Sequence, residues 1–80
     1  MFLGWYDPDK KKATGRKLAD AIYRYERKWG RKPSVALVNA SDVEHLTDET
    51  GVEVRVAPHV APNTFFVGDD EPEESELAAA

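Results

Sequence analysis

Ser34-Val35-Ala36-Leu37-Val38 is the stretch on which the fold turns, an apolar run bounded by Pro33 and Asn39. Neighbouring residues of a strand point to opposite faces, so four apolar residues in succession read as a strand covered on both sides and central to its sheet. Upstream, between about Lys11 and Trp29, the apolar residues Leu18, Ile22, Tyr25 and Trp29 recur at spacings of four, three and four, one stripe of a helix. Gly30 suits the left-handed residue that follows a last helical turn, and Lys32-Pro33 prevents resumption. Arg27, Lys28 and Arg31 place cations at the negative end of that helix.

Further out, Phe2 to Tyr6 is aromatic-rich and closed by Asp7-Pro8-Asp9, a short first strand running into a turn. Downstream, Ser41-Asp42-Val43-Glu44 has the form of a capping box in which Ser41 opens a short helix anchored by Val43 and Leu46. Thr50-Gly51 ends it. Val52 to Val56 alternates strictly and reads as a strand with one buried face. Ala57 to Asn63, with Pro58 and Pro62, is a stiff loop. Thr64 to Val67 makes a last strand, expected to pair antiparallel with its predecessor across that loop.

The predicted class is α/β, a small mixed four-stranded sheet in the order β-α-β-α-β-β with one long and one short helix. Residues 1 to 68 form the single domain, and residues 69 to 80 are expected to be an acidic disordered tail. Two right-handed crossovers in a sheet growing one way put both helices on one face. The other face is then left for a partner. An 80-residue chain buries only about 60 to 65% of its unfolded surface, which adds weight to self-association.

Charge is segregated. Residues 1 to 33 hold ten of the eleven Lys and Arg against four acids, residues 34 to 80 hold one base against eleven acids, and the net is −4. The absence of cysteine excludes disulfide staples and thiolate metal cages and fits a reducing, cytoplasmic compartment. No run approaches the ~18 apolar residues of a membrane span, and Met1 to Tyr6 lacks the basic lead of a signal peptide.

Two groups of residues merit a functional reading. On helix 11–29, Lys12, Arg16, Lys17, Arg24, Arg27 and Lys28 form a basic face that can track a phosphate backbone, with Tyr23 at its margin for stacking. A solvated helix face accounts for the same residues, and Asp20 with Arg24 at i, i+4 favours it. The carboxyl ends of the strands, where α/β sheets usually hold ligands, carry Asp7, Asn39 and His59, with Ser41 and Asn63 nearby. Asp7, Ser41 and His59 have the residue types of a hydrolase triad, yet turn formation and helix capping already explain Asp7 and Ser41. No catalytic role is expected. His45 and His59 lack the companions of a metal site, and no glycine-rich phosphate loop is present, so neither metal nor cofactor is expected.

The segments Ala21-Ile22-x-x-Tyr25, Gly30-x-x-Pro33, Leu37-Val38-Asn39, Gly51-Val52-x-Val54-Arg55 and Pro62-Asn63-x-Phe65-Phe66-Val67-Gly68 resemble those of small uncharacterised bacterial α/β proteins, over about residues 5 to 68. That resemblance implies one bacterial domain and carries no activity. The sequence thus points first to a noncatalytic accessory or interaction protein that pairs with itself or another protein, and second to a nucleic-acid-associated protein using the basic helix.

Overall fold

A computed structural model describes residues 2–47 and 50–69. Its elements run β1 (Phe2–Tyr6), α1 (Thr14–Trp29), β2 (Val35–Val38), α2 (Ala40–Val43), β3 (Glu53–Val56) and β4 (Thr64–Gly68). The fold is α/β, with a four-stranded mixed sheet, one long helix and one of a single turn. Leu18, Ala21 and Tyr25 of α1 are buried against Ala36 and Val38 of β2 and Phe65 and Val67 of β4. Leu3, Trp5, Ile22, Trp29, Val43 and Leu46 close around that cluster. Both helices therefore lie on one face of the sheet. Gly30 ends α1 at φ 76°, its amide donating to the Glu26 carbonyl, because the left-handed conformation is unstrained only without a Cβ.

The strand order is β1-β4-β2-β3, which departs from the expected pairing of neighbours in sequence. The last two strands do not pair. β4 lies antiparallel between β1 and β2, with Trp5 and Val38 both opposite Phe65, while β3 pairs in parallel with β2 alone. The reason lies in the side chains. β4 is apolar on both faces and gains most from an internal position, whereas Glu53 and Arg55 of β3 keep their charges in water at an edge. The loop from Ala57 to Asn63 crosses the end of β2, where the Ala57 amide donates to the Val38 carbonyl and Val60 is buried.

Three local features also differ from expectation. The helix expected from Lys11 begins at Thr14, because Asp7 and Asp9 draw residues 9 to 12 into a turn: Asp7 Oδ1 accepts from the Asp9 amide and Asp9 Oδ1 from the Lys11 amide. The short helix is capped by Asn39 rather than Ser41. Its Oδ1 accepts both the Ser41 amide at 2.8 Å and the Ser41 hydroxyl at 2.7 Å. Asp69, expected in the tail, is held to the domain by Arg31 at 3.3 Å and by the Ser34 hydroxyl at 3.3 Å. Beyond it, the acidic stretch lies outside the described residues. Among the described residues no helix is long and apolar enough to cross a membrane.

Candidate functional site

At the carboxyl ends of β1 and β2, where the sequence places Asp7, Asn39 and His59, the structure assembles a polar cluster around Asn63. Asn63 adopts φ 65°, a left-handed conformation that asparagine tolerates better than most residues. Its amide donates to Asp42 Oδ2 at 2.8 Å, its carbonyl accepts the Asp7 amide at 2.9 Å, and its Oδ1 accepts the Lys17 ammonium at 3.0 Å. Asn39 joins from the end of β2, its Nδ2 donating to the Val60 carbonyl at 2.8 Å. One residue thus ties the crossing loop to β1, to α1 and to α2.

Lys17 departs furthest from its expected place. Expected on the solvated basic face, it is only 4% exposed. It precedes Ala21 by four positions and so belongs to the buried stripe of α1, one turn beyond the apolar core. Asp42, which in sequence is simply part of a helix start, is likewise buried. The spacing of Lys17 to Ala21 and Tyr25 is the available signal for the first. Nothing in the local pattern marks the second.

Asp7 and Lys12 form the rim of this cluster. The Lys12 ammonium lies 3.0 Å from Asp7 Oδ2 and 2.9 Å from Asp20 Oδ2. Its hydrogen bond, followed by that of the Asp9 amide, holds the Asp7 carboxyl below its ordinary pKa, while the bonds to Asp20 and then Asp7 raise that of Lys12. A depressed carboxyl pKa contributes stability above the unfolded value, and the contribution is lost as pH falls through the folded value. Asp7→Asn is accordingly expected to lower the melting temperature at neutral pH, with the gap to the wild type closing below about pH 4. Melting curves across that range check it; a gap that persists in acid means the carboxylate charge is not what matters.

The triad types do not assemble. The Ser41 hydroxyl is committed to Asn39, Asp7 to Lys12 and the Asp9 amide, and exposed His59 hydrogen-bonds to neither Ser41 nor Asp7. Among the described residues no three His, Asp or Glu side chains converge as metal ligands. The polar groups of the cluster are engaged with one another, which suits a clamp on the loop more than a site open to a ligand.

The basic face is narrower than the sequence implies. With Lys17 buried and Lys12 shared between two carboxylates, Arg16, Arg24, Arg27 and Lys28 remain outward, Arg16 near Asp20 at 3.7 Å. Arg24 lies over the Trp5 ring at 5.5 Å, Arg27 over Tyr23 at 5.8 Å and Lys28 over Trp29 at 5.1 Å. Cation–π contact steadies these groups without neutralising them.

The sheet face away from the helices presents Phe2, Tyr6, Leu37, Thr64 and Phe66. Tyr6 is 65% exposed and Phe2 39%, while Val35 and Gly68 at one end are buried. A Cβ on Gly4 would come within 2.9 Å of Phe66 Cε1, so the Phe66 ring lies across the glycine and fills the gap it leaves. Glu53 and Arg55 pair with each other at 2.8 Å on the same face, and the guanidinium holds the Glu53 carboxyl below its ordinary pKa. Comparison of the chain with protein-family models, with curated proteins and with solved structures finds no match in any of the three.

Proposed function

We propose that this chain is a noncatalytic interaction protein that self-associates through the sheet face its helices leave bare, the partner being a second copy. The single observation that carries the reading is the placement of α1 and α2 on one side of the sheet, leaving Phe2, Tyr6, Leu37 and Phe66 on the other. An apolar surface without a roof is stabilised by covering, and a chain this small has little buried area to spare. The strand charges on that face, Glu53 and Arg55, offset each other, so two copies meet there without repulsion. The outer strand β1 has no charged residue, whereas the opposite edge, β3, is guarded by two, which favours approach from the β1 side. A bacterial origin and a cytoplasmic setting belong to the same reading.

Light scattering of the full chain is the direct test. The expected molar mass is twice 9.0 kDa, falling to 9.0 kDa in Tyr6→Lys, a substitution at an already exposed position that the fold tolerates. A wild-type mass of 9.0 kDa at every concentration removes the proposal. The second reading, association with nucleic acid, keeps Arg16, Arg24, Arg27 and Lys28 with Tyr23 as its surface.

A further inference from the structure

The basic residues of α1 flank β1 on the helix side of the sheet, where Arg24 lies over the Trp5 ring at 5.5 Å. Arg24, Arg27 and Lys28, with Tyr23 and Leu3, line a concavity of about 490 Å³. Among the described residues no carboxylate pairs with any of these three cations. Three uncompensated cations side by side are unexpected in a chain whose net charge is −4.

We propose that the occupant of this groove is the acidic stretch 70–76 of the same chain. Charge is the first argument: Asp70, Glu71, Glu73, Glu74 and Glu76 present five carboxylates to Arg24, Arg27 and Lys28. Position is the second. Asp69, the residue just before the stretch, is already paired with Arg31, which lies three positions beyond Lys28. Leu3, a wall of the groove, is opposite Val67, two residues before Asp69. The chain therefore leaves the domain beside the groove's own wall and beside the end of α1.

Reach is the third argument. Seven residues span at most about 25 Å when extended, while the helix from Arg24 to Lys28 rises only about 6 Å. Exposed ion pairs are individually weak, but a tethered segment acts at an effective concentration of the order of millimolar. Weak pairs suffice under that condition. The consequence is a built-in competitor: any phosphate backbone that approaches Arg24, Arg27 and Lys28 must displace a polyanion already at hand.

The chain's lack of cysteine makes the test clean, since Ser75→Cys in the 80-residue chain introduces a unique site for a nitroxide label. Amide resonances of Arg24, Arg27 and Lys28 are compared with the label oxidised and reduced, at about 0.01 M salt, where the Debye length is about 30 Å, and about 1 M, where it is about 3 Å. The expected result is strong attenuation at low salt, removed at high salt and removed also in Arg24→Ala with Arg27→Ala and Lys28→Ala. Unattenuated resonances at low salt overturn the proposal. So does attenuation that also appears when isotope-labelled chains without nitroxide are mixed with nitroxide-bearing ones, because the segment then comes from another copy. A second variant of the 80-residue chain, with all five carboxylates at positions 70 to 76 changed to amides, is titrated with a thymidine oligonucleotide. Severalfold tighter binding than the wild type supports the competitor; equal binding by both rejects it.

Discussion

Replacement of Asn63 by alanine is expected to destabilise the domain by roughly 1.5–3 kcal/mol, because it removes the side-chain acceptor that the Lys17 ammonium has at 3.0 Å. A further cost, up to about 1 kcal/mol, comes from placing alanine at φ 65°, a conformation that the short polar side chain of asparagine tolerates better. An 80-residue domain has a total stability of about 4–12 kcal/mol, so the variant gives up a large share of it. The two contributions separate experimentally. Asn63→Gly relieves the backbone and keeps the stranded ammonium, so it falls between the wild type and Asn63→Ala. Lys17→Met removes the charge, and in the Asn63→Ala background it is expected to restore part of the loss, a coupling that a double-mutant cycle reads directly. Urea denaturation of these variants beside the wild type is the measurement. Additive effects at Lys17 and Asn63 would show that the hydrogen bond between them contributes nothing specific.

Phe65→Ala is the second large effect, about 3–5 kcal/mol. Phe65 is fully buried on β4, opposite Trp5 on one side and Val38 on the other, in the cluster that receives Leu18, Ala21 and Tyr25 of α1. Truncation opens a cavity where strands and helix meet, and the surrounding backbone of an internal strand has little room to collapse into it. Phe66→Ala is the control. Its ring lies on the opposite face across Gly4 and is only partly buried, so its loss is expected to change stability less while weakening self-association. Comparable denaturation midpoints for the two variants would mean that the core does not lie on the helix side of β4.

Both effects depend on residues whose importance is unequally visible in the sequence. Phe65 belongs to a run that reads as a strand at once. Asn63 is visible only as a member of the strand-end edge, and the charge of Lys17 places it on the wrong side of its helix. Charge at position 17 argues for solvent, while its place four residues before Ala21 argues for the interior. The interior prevails because one acceptor, brought from 46 positions away by the crossing loop, makes burial of that ammonium tolerable. No local pattern reports such a distant partner. The hydrolase-like trio of residue types illustrates the converse: Asp7 and Ser41 have local partners that hold them in a turn and at a helix cap.

What the amino-acid order determined by itself was the kind and sequence of the elements, since hydrophobic period, Gly30 and the prolines act over a few residues. It also determined that α1 has a basic side and that carboxylates gather toward the chain's end. Only the tertiary structure decided that β4 enters between β1 and β2, which cations remain outward, and that Asn63 joins loop, helix and strand. Those outcomes compare whole arrangements by the apolar area each buries and the charges each leaves paired. That comparison involves residues far apart in the chain, so no short window of it contains the answer.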